Sequence, residues 1–171
     1  MALFRIEPLS PAHDRSRFLS GSGALDRYLR RQASQDIRRR IATCFVMIDT
    51  GTGEVVGFYT LAATGVPLDA LSEEGTRRLP RYPLVPAALL GRLAIAEPYQ
   101  GRGLGAALLV DALKRASRTE LGVFALLVDA KDDSAQRFYE HFGFSLLPGE
   151  TRHLVLPVAT ALQLLEGQIA Y

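Results

Sequence analysis

Apolar residues recur with the period of a helix in the stretch that follows residue 22. The segment reads SGALDRYLRRQASQDIRRR, and arginines occupy the side opposite the apolar one. The apolar side would carry Leu25, Tyr28, Leu29 and Gln32. Because serine caps helix N-termini, we expect an amphipathic helix that begins after Ser22.

Two runs rich in β-branched and aromatic residues come next. They read TCFVMID and EVVGFYTLA and are joined by TGTG, which predicts a β-hairpin. The stretch after the hairpin, GVPLDALSEEGTRRLPRYPLVPA, contains four prolines. It predicts a loop or a short, broken helix.

The middle of the chain predicts a β-α-β unit. The apolar run ALLGRLAI leads into a glycine turn, then a helix that ends at about Thr119, and then a second apolar run, VFALLVDA. Further along, DDSAQRFYEHFGF predicts a helix that is capped by Asp132 or Asp133 and ends at Gly143. A last strand is predicted at RHLVLPV. Because a chain of 171 residues has the usual length of one domain, we expect a single domain.

Three glycines spaced two residues apart form the turn of that unit. Gly101, Gly103 and Gly105 stand where the apolar face of the helix begins. The first N–H groups of a helix lack partners and carry the positive end of its dipole, so a glycine turn that leaves them uncovered forms an anion site. The spacing therefore predicts a ligand that bears phosphate.

The same glycines match two nucleotide-binding motifs only in part. GRGLGA satisfies the dinucleotide fingerprint G-x-G-x-x-G/A, with Ala106 in the last place. Against that fingerprint, AEPYQ separates the strand from Gly101, and too few residues follow for a second mononucleotide half and a substrate domain. A P-loop is excluded because no Gly-Lys-Ser/Thr follows. The glycines could also serve only helix packing.

Composition narrows the class of protein. Hydrophobic residues make up 48% and charged residues 22%, and no apolar run approaches the roughly 20 residues of a membrane span. The start, MALFRIEPLS, lacks the pattern of a secretory signal, so we expect a soluble, cytoplasmic protein without membrane association. The single cysteine, Cys44, is expected to be a small buried residue in a strand. His13, His141 and His153 lack metal-ligand spacing, so no metal is expected.

Positive charge is concentrated in one segment, although the net charge is only +2. Six arginines and one aspartate between Arg27 and Arg40 give this segment a charge of +5. Such a run fits either a solvated helix face or a surface that contacts phosphates. Composition alone does not choose between them.

Two motifs around the glycine turn resemble a known family. Gln100, Gly103 and Gly105 match Q-x-x-G-x-G, the acetyl-CoA signature of the GNAT N-acetyltransferases. The later family motif A-x-x-F/L-Y-x-x-x-G-F is matched by Ala135, Phe138, Tyr139, Gly143 and Phe144. FLSGSGALDRYLRRQA, VVGFYTLA and P-x-x-P-x-x-x-L-G-R-L-A-I further resemble the GNAT toxins of type II toxin-antitoxin systems, over roughly residues 5–157. The tail after Pro157 runs past the usual end of that group and is expected to add packing or a partner surface.

The resemblance implies a fold and an activity. The fold would be α/β (α+β), the GNAT acyl-CoA N-acyltransferase fold, with a mixed, mostly antiparallel sheet that is flanked by helices and splayed for CoA. The activity would be acetyl transfer from acetyl-CoA to the α-amino group of aminoacyl-tRNA, which stops translation. A homodimeric toxin, neutralised by a ribbon-helix-helix antitoxin and touching DNA only through it, is also implied. Alternatives are acetylation of a small amine or a protein N-terminus, or a CoA-binding corepressor that acts with an antitoxin.

Site residues follow from the motifs and the resemblance together. The pyrophosphate is expected at the N–H groups of the turn, and the pantetheine arm along the backbone of the preceding strand. The expected cofactor site comprises Leu93, Ala94, Ile95, Gln100, Gly101, Arg102, Gly103, Leu104, Gly105, Ala106, Ser134 and Phe138. The expected nucleic-acid contacts are Arg30, Arg31, Arg38, Arg39 and Arg40.

Tyr139 is the candidate general acid. A phenol with a pKa of about 10 stays protonated at neutral pH and can donate to a departing thiolate with a pKa of about 8.5. A backbone N–H near Leu93 or Ala94 would stabilise the oxyanion. No general base is evident, and the lowered amine pKa of an aminoacyl ester makes a strong one unnecessary. The alternative is a tyrosine that only packs at a helix end.

Overall fold

The computed structural model describes residues 3–71 and 83–169. Its strands are β1 (Phe4–Pro8), β2 (Thr43–Asp49), β3 (Val55–Pro67), β4 (Leu84–Ile95), β5 (Ala125–Asp129), β6 (Ser145–Leu146) and β7 (His153–Pro157). Its helices are α1 (Gly23–Arg27), α2 (Ala33–Arg38), α3 (Leu104–Arg118), α4 (Asp133–His141) and α5 (Val158–Ile169). A π-helical turn, Tyr28–Gln32, joins α1 to α2, and Leu68–Ala70 and Glu97–Tyr99 form 3₁₀ turns.

The strands form one mixed sheet in the order β1-β2-β3-β4-β5-β7-β6. The pair β4 and β5 is parallel, whereas β1 with β2, β2 with β3, β5 with β7 and β6 with β7 are antiparallel. The expected mixed, mostly antiparallel sheet is therefore confirmed.

The chain divides into two compact units. The first comprises Met1–Ala62 with Gly91–Ala112, and the second Ala63–Leu90 with Leu113–Tyr171. A buried cluster in the first unit contains Phe18, Tyr28, Leu29, Ala33, Cys44, Val46, Ile48, Val55, Phe58, Ala94 and Ala96. A buried cluster in the second contains Val66, Leu71, Val85, Ala87, Ala125 and Val155. Each unit thus has an apolar core of its own.

The arginine-rich helix is interrupted by the π turn. Ser22 caps α1 as expected, since its Oγ accepts a hydrogen bond from Leu25 N at 3.4 Å. Within the turn, the N–H of Ala33 donates to the carbonyl of Tyr28, five residues back. This wider turn shifts the helical phase, so Ala33 is buried and Gln32 is exposed. The expectation that Gln32 faces the apolar side was therefore wrong.

The hairpin of β2 and β3 is confirmed. Its antiparallel register includes Cys44 opposite Thr60 and Val46 opposite Phe58. Cys44 lies in a strand and is 3% exposed, as expected. Burial raises the pKa of the Cys44 thiol to about 12.

Part of the predicted loop before β4 belongs to the strand. β4 begins at Leu84, and Pro86 lies inside it. A proline has no N–H to donate, but the Pro86 carbonyl accepts from Phe124 N at 2.9 Å, and the register with β5 starts one residue later, at Ala87. Residues 72–82 of the predicted loop lie outside the described residues.

The second unit confirms the predicted start and end of α4 and adds a C-terminal helix. The cap of α4 is Asp132, whose Oδ1 accepts from Ala135 N at 2.8 Å, and the chain leaves that helix through Gly143 at a φ of +96°. The tail forms α5, with Ala161 buried, so added packing is confirmed for that part of it. Sequence patterns missed β1, β6 and α5; β6 has only two residues, and α5 lacks a capping signal.

Within residues 3–71 and 83–169, no helix combines the length and apolar character needed to cross a bilayer.

One close approach in the first unit depends on a missing side chain. A Cβ at Gly57 would lie 2.7 Å from Ile95 Cδ1, 3.2 Å from the Ala94 carbonyl oxygen and 3.2 Å from Leu108 Cδ1. The Ile95 methyl can rotate away, but the backbone oxygen cannot. Glycine at position 57 therefore lets β3 pack closely against β4 and α3.

We predict that Gly57→Ala lowers the free energy of unfolding by about 1–3 kcal/mol, because it overpacks this contact. Gly122→Ala is the matched control, since a Cβ there meets nothing within 4 Å, and its effect should stay within about 0.5 kcal/mol. Urea unfolding of both variants measures the difference. Equal stability of the two would contradict the packing role of Gly57.

Candidate active site

The glycine turn leaves open space in front of helix α3. Gly101 and Gly103 adopt φ values of +78° and +77°, which favour glycine, and a Cβ at either position would meet no atom within 4 Å. Both residues and the intervening Arg102 are exposed. A ligand can therefore approach this backbone closely.

Six consecutive N–H groups belong to this turn and the start of α3. Helix α3 begins at Leu104, and its first bond to the turn runs from Ala107 N to Gly103 O at 3.2 Å. From Gly101 to Ala106, the N–H groups have no acceptor among the residues that the structure describes. This row of donors at the positive end of a helix is the arrangement that the sequence predicts for a phosphate ligand.

Gln100 holds the turn in place. Its Nε2 donates to the Ile95 carbonyl at 2.9 Å and to the Ser20 carbonyl at 2.7 Å. Ser20 is itself fixed, because its Oγ donates to the buried Asp26 carboxylate at 2.6 Å. Both donors of the Gln100 amide are thus engaged by protein carbonyls, so the side chain positions the turn. Its contact with the cofactor stays a prediction.

A second anchor precedes the turn and was missed from the sequence. The Tyr99 hydroxyl donates to Asp49 Oδ2 at 2.7 Å, and the Arg102 guanidinium lies 5.1 Å from the Tyr99 ring centroid. The Tyr99 bond, with help from the Gly51 N–H, lowers the pKa of Asp49, and the same bond raises the pKa of Tyr99. Nothing in the local sequence pairs residues 50 positions apart.

The strand that leads into the turn has side chains that are buried or half-buried. Ala94 belongs to the core of the first unit, and the Ile95 side chain packs beside Gly57. Leu93 is half-buried. The parallel register of β4 with β5 runs only from Ala87 to Leu90, so residues 91–95 lie beyond it. The pairing of residues 93–95 with pantetheine amides stays a prediction.

Tyr139, in the second unit, lies in the last turns of α4 and is 7% exposed. Its ring packs edge-on against Phe138 and Phe144 at 5.2 and 5.5 Å between centroids. No described residue bonds its hydroxyl, and because the described residues leave no fully buried side-chain oxygen unpaired, this hydroxyl keeps some contact with solvent. Burial raises the pKa of Tyr139, and the charge of Asp129 adds to the rise. The phenol is therefore protonated at neutral pH, as a general acid requires.

The neighbours of Tyr139 on α4 differ in exposure. Ser134 is exposed in the first turn of the helix, whereas Phe138 is half-buried and packs on Tyr139 and Phe142. Asp132 is engaged in capping the helix. The cofactor roles of Ser134 and Phe138 stay predictions.

The predicted nucleic-acid arginines fall into two groups. The Arg30 guanidinium donates to the Phe18 carbonyl at 2.9 Å and so supports the fold. Arg31, Arg38, Arg39 and Arg40 are exposed. Arg40 has a φ of +59° where the chain leaves α2. The exposed group is the part of the segment that is free to meet a partner.

Arg92 was also missed from the sequence. Its guanidinium carbon lies 3.6 Å from the Tyr28 ring centroid, and the Tyr28 hydroxyl donates to Asp36 Oδ2 at 2.8 Å. The sequence offered two signals for this group: Arg92 stands in the motif L-G-R-L-A-I, and Asp36 is the lone acid in the arginine segment.

Among the described residues, no group of three or more histidine, cysteine, aspartate and glutamate side chains is arranged to hold a metal ion. His13 bonds Glu7 Oε1 through Nε2 at 2.7 Å.

Several proteins of known function or structure are similar to this chain. A tRNA-acetylating toxin of Mycobacterium tuberculosis is 40% identical over 86% of this chain and 88% of its own length. The structure of AtaT complexed with acetyl-methionyl-tRNAfMet superposes with a TM-score of 0.87 at 30% identity, covering 95% of this chain and 99% of that one. A mutant of AtaT bound to the C-terminus of the antitoxin AtaR and to acetyl-CoA superposes with a TM-score of 0.79 at 26% identity, covering 95% and 98%.

The family itself follows from the sequence match. Residues 40–146, which include the glycine turn and Tyr139, match the model of the acetyltransferase (GNAT) domain. Together with the mixed sheet, the turn that precedes α3 and the 40% identical relative, this match identifies the chain as a member of the GNAT family of N-acetyltransferases.

Proposed function

We propose that this protein transfers the acetyl group of acetyl-CoA to the α-amino group of aminoacyl-tRNA and acts as the toxin of a type II toxin-antitoxin system. The observation that carries the proposal is the 40% identity, over 86% of the chain, to a tRNA-acetylating toxin. The AtaT complexes with acetylated tRNA and with acetyl-CoA support the same reaction. Residues 1–171 would act as one domain.

The partners follow from the same relatives. AtaT binds the C-terminus of its antitoxin, so we propose a corresponding antitoxin of the ribbon-helix-helix type for this chain, which would also provide the contact with DNA. We further propose a homodimer in the cytoplasm.

The glycine turn would bind the pyrophosphate of acetyl-CoA. The unpaired N–H groups from Gly101 to Ala106 supply donors, and the lack of side chains at Gly101 and Gly103 leaves the approach to them open. Arg102 is exposed beside them and adds positive charge. Bound acetyl-CoA supplies the thioester that the reaction consumes.

A backbone N–H group and the Tyr139 hydroxyl would each assist one step of the acetyl transfer. The amine nitrogen attacks the acetyl carbonyl, and an N–H near Leu93 or Ala94 stabilises the oxyanion. The carbon–sulfur bond then breaks, and Tyr139 gives its hydroxyl proton to the thiolate. The proton that the amine loses passes to solvent, from which Tyr139 is reprotonated.

We predict that Gly103→Asp abolishes binding of acetyl-CoA, because it places a side chain and a negative charge in the pyrophosphate site. Gly53→Asp is a matched control: Gly53 has the same φ of +77° and the same open surroundings, but lies in the β2–β3 turn. Calorimetry of both folded variants measures the affinity. Unchanged affinity in Gly103→Asp would remove the turn from the cofactor site.

We predict that Tyr139→Phe lowers single-turnover acetylation of charged tRNA by about 10²- to 10⁴-fold, since it removes only the acid proton. Affinity for acetyl-CoA and thermal stability should be unchanged, because no described residue bonds the hydroxyl. The raised pKa keeps the acid protonated, so the wild-type rate should not fall between pH 7 and pH 9 through this group. A near wild-type rate in the variant would make Tyr139 a packing residue only.

We predict that replacing Arg38, Arg39 and Arg40 with glutamine weakens tRNA binding and reduces the slope of log affinity against log salt by roughly 2 to 3. Replacing the exposed Lys114, Arg118 and Lys131 changes the net charge equally and serves as the control. Filter binding across a salt series gives both slopes, and affinity for acetyl-CoA should stay constant. If the two triple variants bind tRNA alike, the first cluster is a solvated face or an antitoxin surface.

A further inference from the structure

Arg92 carries hydrogen-bond donors that the fold does not use. Its guanidinium lies flat enough on Tyr28 for the carbon to approach within 3.6 Å of the ring centroid. A guanidinium stacked by its face still presents its N–H groups at its edge. Among the described residues, none accepts a hydrogen bond from these groups. Every buried side-chain nitrogen of the described residues has a hydrogen-bond partner. The Arg92 nitrogens have none, so they are not buried and solvent reaches them.

Other arginines of the first unit are used differently. Arg15 Nη1 donates to the Leu29 carbonyl at 2.8 Å, and Arg30 Nη1 donates to the Phe18 carbonyl at 2.9 Å. These two side chains hold loops to the helical segment. Arg92 is half-buried yet makes no such bond, so its donors are available to an external anion.

The support beneath Arg92 is rigid. Tyr28 is 5% exposed, stacks on Phe58 with ring centroids 6.3 Å apart, and is fixed at its far end by the bond to Asp36. Asp36 is itself buried. A guanidinium held on such a platform loses little conformational freedom when it binds, which favours recognition of a planar or bidentate acceptor.

The position of Arg92 relates this donor group to the reaction. It immediately precedes Leu93, whose N–H is one of the proposed oxyanion donors, and consecutive Cα atoms are about 3.8 Å apart. An anion held by Arg92 would therefore lie within a side chain's reach of the acetyl carbonyl. In aminoacyl-tRNA, the amine is joined through the ester to the ribose of the terminal adenosine. The 5′ oxygen of that ribose carries the nearest phosphate along the chain of the substrate.

We propose that Arg92 binds the phosphate on the 5′ side of the terminal adenosine of aminoacyl-tRNA and thereby places the α-amine for attack. This proposal rests on the proposed function and names a substrate-binding residue for it. Arg92 reads the end common to all tRNAs, and so contributes to recognition of the acceptor without selecting the amino acid.

Two fragments of one charged tRNA pool test the assignment whatever the amino acid. A ribonuclease that cleaves after pyrimidines releases aminoacyl-adenosine without phosphate, because tRNA ends in cytidine, cytidine and adenosine. A nuclease that leaves 5′-phosphates releases the same aminoacyl-adenosine with its 5′-phosphate. We expect the wild type to acetylate the phosphorylated fragment with a kcat/KM about 10- to 100-fold higher, as a charge-assisted bidentate contact provides.

Arg92→Gln should lower the kcat/KM for the phosphorylated fragment to the value for the fragment without phosphate. The kcat/KM for the fragment without phosphate should stay within about twofold of the wild-type value. Arg92→Lys keeps the positive charge but loses the paired donors of the guanidinium, so its phosphate preference should lie between those of the wild type and Arg92→Gln. Two controls separate binding from packing. Tyr28→Phe keeps the ring and removes the Asp36 bond, so it should lower Tm but retain the phosphate preference. Arg17→Gln removes an exposed arginine of the same unit and should retain both the wild-type Tm and the phosphate preference.

Three results would overturn the assignment. A phosphate preference that persists in Arg92→Gln removes Arg92 from phosphate binding while leaving the proposed function intact. Weaker binding of acetyl-CoA by Arg92→Gln in calorimetry assigns the side chain to the cofactor instead. Failure of the wild type to acetylate charged tRNA or either fragment refutes the proposed function, and this inference with it.

Discussion

The candidate cofactor site depends on one amide group. Gln100 Nε2 bonds the carbonyls of Ile95 and Ser20, and so ties the end of β4, the start of the glycine turn and the loop before α1 to one point. Each such bond is worth only about 0.5–1.5 kcal/mol. Their value lies in geometry, because the row of free N–H groups is useful to an anion only if it is held in place before the ligand arrives. A glutamine in a cofactor signature can thus act on the protein rather than on the ligand.

Features governed by neighbouring residues were predictable from the sequence. The cap at Ser22, the hairpin of β2 and β3, the glycine turn, the length of α3 and the termination of α4 at Gly143 each depend on side chains within a few positions of one another. Backbone conformation and local hydrogen bonding decide such features.

Features decided by distant contacts could not be predicted in this way. The π turn shifts the helical phase by one residue, which no period of 3.6 anticipates. The bond between Tyr99 and Asp49 and the stacking of Arg92 on Tyr28 join residues far apart in the chain. The charge pattern of the sequence likewise does not distinguish Arg30 from Arg38. The structure does, because Arg30 donates to a backbone carbonyl and Arg38 is exposed.

The buried Cys44 has a practical consequence for work on this molecule. It is the chain's only cysteine, and with a pKa of about 12 its thiol is almost entirely uncharged at neutral pH. Thiolates, not thiols, attack maleimides, iodoacetamide and mild oxidants, so these reagents react slowly with this side chain. A fluorophore or spin label placed on a new surface cysteine would therefore report from that position alone, with the native cysteine left in place.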